Sequence, residues 1–347
     1  MDKKTKILIT GASGFIGSFL CEEGLSRGMD VWAGMRGSSS RKWLQDERLH
    51  FQTLDMTNRD LLEQQLQEFR QQNDGGWDII IHAAGATKCL KQSDFDRNNF
   101  DCTVNFVECL RSLDMEPDLF VYVSSLSVLG PIREKDYSEM LADDIAVPNT
   151  AYGRSKAKSE EYLRTLQGDF PYVIFRPTGV YGPREKDYFL QVKSIKQHID
   201  FAVGYKKQEI TFVYVADLVG AIYAAIDKSL EGKGNDILTH IYHVSDGQSY
   251  SSRAFSDYIQ QSLPVRHVIH LKAPLWFLRC VCAVSEFFSK MRGKVSTLNG
   301  DKYKILSQRN WNCDITPMRQ ELGYEPQWPL ERGTRAAVEW YKQEKWI

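Results

Sequence analysis

No stretch of this chain reaches the roughly 18 uncharged apolar residues that cross a bilayer. The nearest approach runs from Leu275 to Phe288, and Arg279 and Glu286 interrupt it. The first residues turn apolar only for Ile7-Leu8-Ile9. That falls short of the roughly 7–15 apolar residues of an export signal, so a cytoplasmic location is the expectation. Cysteine pairs at metal spacing are missing too. The seven cysteines, at 21, 89, 102, 109, 280, 282 and 313, contain no Cys-x-x-Cys. An odd, scattered set in a long chain reads as reduced thiols and lends no support to zinc. Charge of one sign is also lacking. With 44 basic and 45 acidic residues the net charge is −1, which leaves no electrostatic footprint for nucleic acid. The 24 glycines and 11 prolines are too few for a low-complexity chain.

What is present is a globular composition, 42% hydrophobic and 26% charged, which argues against wholesale disorder. A length of 347 residues suggests about two domains. The first half alternates short apolar runs with amphipathic stretches. Lys6–Thr10, Val31–Met35, Asp78–Ile81, Leu119–Val123 and Val173–Phe175 read as buried strands. Phe15, Ile16, Phe19, Leu20 and Leu25 follow at helical spacing, with Gly28 placed to close that helix, and Leu61 to Phe69 repeats the pattern. Strands alternating with helices of this length indicate βαβ units, hence an α/β doubly wound parallel sheet. After about residue 180 the rhythm breaks, leaving strand-like pieces at 212–215 and 241–244. The expected division is therefore 1–180, a nucleotide-binding sheet domain, and 181–347, a smaller, mostly helical capping domain. Ile241–Val244 is a candidate to return to the sheet.

Thr10-Gly11-Ala12-Ser13-Gly14-Phe15-Ile16-Gly17 lies between the first strand and the first helix. Glycines are needed there for the sharp turn, for close approach to a pyrophosphate and for helix–strand packing. The free amides at the helix start favour phosphate. Dinucleotide binding is the reading. An NAD site usually carries an acid about 20 residues on. Here the second strand ends in Met35-Arg36-Gly37-Ser38-Ser39-Ser40-Arg41-Lys42, with no acid. Arg36, helped by Arg41, suits a 2′-phosphate. The expected cofactor is NADP(H), with NAD(H) as the alternative.

Tyr152 and Lys156 are four residues apart, on one face of a helix. A phenol titrates near 10. A neighbouring ammonium, and the positive ring of an oxidised nicotinamide, would lower that value and make the phenol a proton carrier. Ser124-Ser125-Leu126-Ser127 follows the strand at 119–123. A hydroxyl there sits where open α/β sheets bind ligands, and it can steady a reacting carbonyl oxygen.

Together these residues resemble the extended short-chain dehydrogenases/reductases. Thr10–Gly17 looks like that family's glycine turn. Asp55-Met56 looks like its adenine-contacting pair, and His82-Ala83-Ala84-Gly85 its motif after the fourth strand. Asn99, four residues before Thr103, resembles its structural asparagine, to which the resemblance adds support of a proton relay. Ser125, Tyr152 and Lys156 match its catalytic trio; Ser125 stands five residues before Gly130, as the family pattern requires. The resemblance makes Lys156 a ribose ligand as well. Arg176-Pro177-Thr178-Gly179-Val180-Tyr181-Gly182-Pro183 is similar to the segment beside the nicotinamide, which brings in Pro177 and Thr178. Phe212–Asp217 and Leu322–Pro326 resemble later landmarks.

Departures narrow the branch. Leu126-Ser127 follows Ser125 where dehydratases carry Asp-Glu. Epimerases of nucleotide sugars usually have Asn at the position of Gly179 and Arg at that of Thr211. The Arg36 loop resembles that of NADPH-dependent carbonyl reductases in the same family, and Ser296-Thr297-Leu298-Asn299 with Trp311–Asp314 resembles the branch of 3β-hydroxysteroid dehydrogenases and dihydroflavonol reductases. That resemblance implies an NADP(H)-dependent oxidoreductase acting on an apolar ketone or alcohol. The rivals are an NAD-dependent sugar-nucleotide epimerase and a non-catalytic NADP sensor. Family members often form homodimers. The apolar segment Pro274 to Met291 has three readings: a core helix of the small domain, a lid over the substrate, or peripheral contact with a membrane.

Overall fold

The computed structural model describes residues 4–291 and 298–347. Ser296 and Thr297, part of one resemblance above, lie outside the described residues. The strands are β1 (Lys6–Thr10), β2 (Asp30–Met35), β3 (His50–Thr53), β4 (Ile79–His82), β5 (Leu119–Val123), β6 (Tyr172–Pro177), β7 (Gly179–Tyr181), β8 (Ile199–Val203), β9 (Phe212–Tyr214), β10 (Ile241–Val244) and β11 (Ile269–Ala273). The helices are α1 (Phe15–Ser26), α2 (Arg59–Asn73), α3 (Gln92–Phe95), α4 (Cys102–Ser112), α5 (Ala151–Thr165), α6 (Asp187–Lys196), α7 (Val215–Lys228), α8 (Ala254–Ser262), α9 (Leu275–Met291), α10 (Gly300–Ser307), α11 (Thr316–Leu322) and α12 (Leu330–Gln343).

Seven strands form one sheet, in the order β3-β2-β1-β4-β5-β6-β10, and every pairing in it is parallel. The apolar runs form strands because both faces of the sheet are covered. Successive side chains alternate between two cores. Ile7, Ile9, Ile79 and Ile81 enter one, while Leu8, Ile80, Phe120 and Tyr122 enter the other. The strand order reverses between β1 and β4, and ligands bind at such a switch point outside the carboxyl ends of the strands.

The second half of the chain does return to the sheet. Ile241 pairs with Ile174 and Val244 with Pro177, which makes β10 the seventh strand. Helix α7 lies against α1, where the Tyr223 hydroxyl donates to the Leu20 carbonyl at 2.7 Å. Strand β3 escaped the sequence reading. His50-Phe51-Gln52-Thr53 is a mixed, half-exposed edge, and its alternation is too short to register. A third core, with Tyr181, Phe212, Phe255, Leu330 and Tyr341, holds the smaller layer together.

The segment after Pro274 is a helix, as its spacing suggests, but not a core helix. Among the described residues of α9, only Leu278 and Cys282 are buried. The reason is geometric. The neighbouring α10 covers one side of the helix only, and the apolar residues encircle it.

Candidate active site

The first turn of the sheet is a cradle. A Cβ at Gly17 would stand 2.2 Å from the Gly11 carbonyl oxygen, so only glycine lets α1 close onto the turn. Gly14 caps α1 in extended conformation with no side-chain bond to the helix. The first-turn amides, from Phe15, Ile16 and Gly17, therefore lack an intrahelical acceptor. Ser13, Phe15 and Ile16 are half-buried and Gly14 is exposed, at the lip of this turn. Behind it, the Thr10 hydroxyl bonds the His82 ring at 2.9 Å and accepts from the Ala84 amide at 3.2 Å. That pins Ala83, Ala84 and Gly85 against the glycines. The Thr178 hydroxyl, at the end of β6, is buried with no hydrogen-bond partner among the described residues. A glycine cradle, open helix amides and one orphaned hydroxyl fit a dinucleotide.

At the end of β2, Arg36 is exposed, and its guanidinium has no hydrogen-bond partner among the described residues. Arg41 is different, since its guanidinium lies 3.9 Å from the centre of the Phe51 ring. Asp55 accepts from the Thr57 amide and hydroxyl, at 3.1 and 2.6 Å. Buried Met56 offers its carbonyl to the Asn105 amide group at 2.9 Å.

Helix α5 carries the phenol and the ammonium. The Thr150 side chain caps it. A Cβ at Gly153 would come within 2.4 Å of the Ser127 carbonyl oxygen, so glycine after Tyr152 lets α5 press onto the loop that follows β5. Ser125 begins that loop, and its Oγ lies 2.8 Å from the Ser127 Oγ. Tyr152 meets Phe95 edge-on at 6.3 Å. Burial pushes the phenol up to about 12, against a smaller downward pull from the Ser125 hydroxyl. The lowering by Lys156 expected from the sequence is not seen in the protein alone. The Lys156 ammonium donates instead to the Val123 carbonyl at 2.8 Å and lies over the Tyr122 ring. Burial pushes Lys156 down to about 8, and Glu160 acts the other way.

One part of this site was not legible beforehand, and the contacts of another were not. The first is the support beneath it. Both carboxylate oxygens of Glu160 accept from buried Arg176, and Glu160 also accepts from the Ser124 hydroxyl. Lys156 on Val123 and Glu160 on Ser124 thus bolt α5 to the end of β5. Arg176 sits in the segment expected beside the nicotinamide, yet its side chain turns into this pair. The second is Asn99. It accepts from the Ala86 amide at 2.7 Å and donates to the Ala86 carbonyl and the Ser155 hydroxyl. Its amide is therefore occupied in holding the loop after β4. Thr103, four residues on, marked Asn99 as structural in the sequence, and its hydroxyl donates to the Asn99 carbonyl at 2.7 Å.

Two imidazoles are buried neutral. Burial pushes His82 down to about 3, with Lys156 adding to the effect. Burial and Arg176 do the same to His243. An unfolded histidine titrates near 6.5. The unfolded chain therefore takes up protons that the folded chain refuses, and stability falls as the pH drops from about 6.5 toward 3. Asp246, which burial raises to about 6, works in the opposite sense between about 6 and 4. At pH 5 each imidazole withdraws about 2 kcal/mol and Asp246 returns about 1 kcal/mol. Urea titration should show stability about 2–3 kcal/mol lower at pH 5 than at pH 7. A flat profile over that range would refute the neutral burial of these rings.

A glycine cradle at the switch point, with a phenol, an ammonium and a hydroxyl gathered beyond β5, defines a nicotinamide-dependent enzyme acting on CH–OH groups. The chain belongs to the NAD dependent epimerase/dehydratase family, whose pattern matches residues 7–242. It is 23% identical over 357 residues to the decarboxylating sterol-4-alpha-carboxylate 3-dehydrogenase of Saccharomyces cerevisiae, covering 98% of this chain and 99% of that protein. The corresponding Dictyostelium discoideum enzyme is 26% identical over 335 residues, with 92% and 95% covered. The fold matches the crystal structure of UDP-glucose 4-epimerase with UDP-glucose from Thermotoga maritima, with a TM-score of 0.74 at 18% identity. That match covers 98% of this chain and 99% of the other.

Proposed function

We propose that this protein is an NADP(H)-dependent oxidoreductase acting on a carbonyl or secondary alcohol of an apolar small molecule, hydroxysteroid- or dihydroflavonol-like. The observation that carries the reading is the bolted end of β5. Lys156 is held on Val123, two residues before Ser125, and Tyr152 stands one helical turn away on α5. When bound, the nicotinamide supplies or accepts the hydride. The Ser125 hydroxyl orients the substrate oxygen. Tyr152 holds the proton at its phenolic oxygen and gives it to that oxygen in reduction, or takes it in oxidation. Lys156 would hold the nicotinamide ribose. The glycine turn, Asp55, Met56, Ala83, Ala84, Gly85, Pro177 and Thr178 form the remaining cofactor contacts in this reading.

An apolar substrate is favoured by what stands at the two positions where epimerases hold diphosphate. A Cβ at Gly179 would meet the Tyr188 hydroxyl at 2.1 Å, so an asparagine there would have to displace that ring. Thr211 is buried, and its hydroxyl donates to the Trp311 carbonyl at 2.6 Å. Neither position offers a phosphate donor. The 25% identity over 352 residues to the UDP-glucose 4-epimerase of Vibrio cholerae favours the epimerase reading instead. Purified protein carrying tightly held NAD, with no NADPH consumed against ketosteroids, flavanones or aldehydes, would decide for that reading.

Preference for the phosphorylated cofactor rests on Arg36. A charge-assisted bond to a 2′-phosphate contributes about 1.5–3 kcal/mol. Arg36→Ala should therefore weaken NADPH binding roughly 10–150-fold and leave NADH binding nearly unchanged, as read by fluorescence titration. Equal losses for the two cofactors would rule out this role.

A further inference from the structure

Tyr188 lies in the first turn of α6, and its hydroxyl has no hydrogen-bond partner among the described residues. The ring is held firmly. It meets Phe255 edge-on at 5.2 Å, Phe212 at 5.9 Å and Tyr181 at 6.4 Å. Its amide donates to the Glu185 carboxylate, and the preceding Asp187 is paired with Lys88. The hydroxyl comes to rest against Gly179, where a Cβ would stand 2.1 Å away. Only a residue without a side chain lets the phenol reach so far.

That point belongs to the chemical end of the sheet. Strands β5 and β6 are neighbours, and the Ser124 amide donates to the Phe175 carbonyl at 2.8 Å. Ser125 and Thr178 therefore emerge side by side, and Gly179 follows Thr178. The ion pair of Lys88 and Asp187 joins the loop after β4 to α6. Because β5 lies between β4 and β6, the pair bridges the end of β5, from which Ser125 projects. Gly179 and Tyr188 are both half-buried, so they form a wall of this crevice and not part of its core. Burial, with Glu185 and Asp187 adding to it, pushes the phenol up. At neutral pH it keeps its proton, as a donor without an acceptor. An oxygen supplied from the crevice would satisfy it.

We propose that Tyr188 is a specificity-determining residue, whose hydroxyl donates to a second oxygen of the substrate, away from the carbon that exchanges hydride. The inference rests on the reaction proposed above and narrows its substrate to an apolar ketone or alcohol with one further neutral oxygen. Neutrality follows from the surroundings. The two carboxylates that disfavour a phenolate at Tyr188 also disfavour an anionic group beside it, whether carboxylate or diphosphate.

The test compares matched ketones, androstanone with androstanedione and flavanone with hydroxyflavanone, in NADPH-dependent reduction by the parent protein and by Tyr188→Phe. In an accepted pair the parent should favour the member with the second oxygen by about 10–100-fold in kcat/KM, because its absence leaves the phenol unpaired. In the variant that preference should shrink to within about threefold. The change should fall on KM with kcat nearly unchanged, since the bond is made equally in the ground and transition states. Circular dichroism and the thermal midpoint should not move, because the hydroxyl has no partner in the protein to lose. A purely structural role would slow both members alike. That result, a preference that the variant keeps, or no preference in the parent would overturn the role of Tyr188 and leave the reaction standing. A parent that reduces neither pair would overturn the reaction, and this inference with it.

Discussion

Tyr152→Phe is expected to lower turnover at least about 10²-fold, the low end for loss of a general acid–base group, with NADPH affinity nearly unchanged. The substitution removes one oxygen and keeps the ring that packs on Phe95. Its effect should therefore fall on the proton and not on the fold. Burial holds the free phenol at about 12, so at neutral pH the residue carries its proton and is ready to donate it to a carbonyl oxygen. Steady-state turnover of an accepted ketone, paired with fluorescence titration of NADPH, separates the two quantities. Turnover within a few-fold of the parent protein would remove Tyr152 from the chemistry, and with it the proposed mechanism.

Glu160→Ala is expected to destabilise the protein by about 3–5 kcal/mol, as happens when a buried ion pair loses one partner. Arg176 is 1% and Glu160 3% exposed, and their closest contact is 2.6 Å. Removing the carboxylate strands a guanidinium away from water and frees the Ser124 hydroxyl. The double variant Glu160→Leu/Arg176→Met should recover much of the loss, because two apolar side chains of similar size need no counter-ion. Denaturant midpoints at pH 7 measure both. A single variant within about 1 kcal/mol of the parent would mean that water reaches this pair.

Much of this molecule was legible because its signals are local. Ile7-Leu8-Ile9 and Asp78-Ile79-Ile80-Ile81 are short apolar runs between turn residues, and only strands buried on both faces use them. The glycine turn was readable because steric exclusion at Gly17 is a property of that residue type. Strand β3 was not, since Phe51 is the one clearly apolar residue in a polar edge. The apolar spacing of α9 announced a helix correctly, yet spacing cannot say whether a neighbour covers each side.

The sequence by itself determined the doubly wound sheet, the glycine turn and the chemical identity of the Ser125, Tyr152 and Lys156 side chains. Periodicity and residue type act over a few positions along the chain, which is why they can be read there. Only the tertiary structure decided the partners across long separations. Glu160 meets Arg176 and Ser124, Lys156 turns to the Val123 carbonyl, β10 comes back beside β6, and the outer face of α9 is left bare. Those outcomes depend on which surfaces the packed chain brings together and which it shuts off from water. Burial then sets how strongly each charge or proton is held, and no stretch of neighbouring residues contains that information.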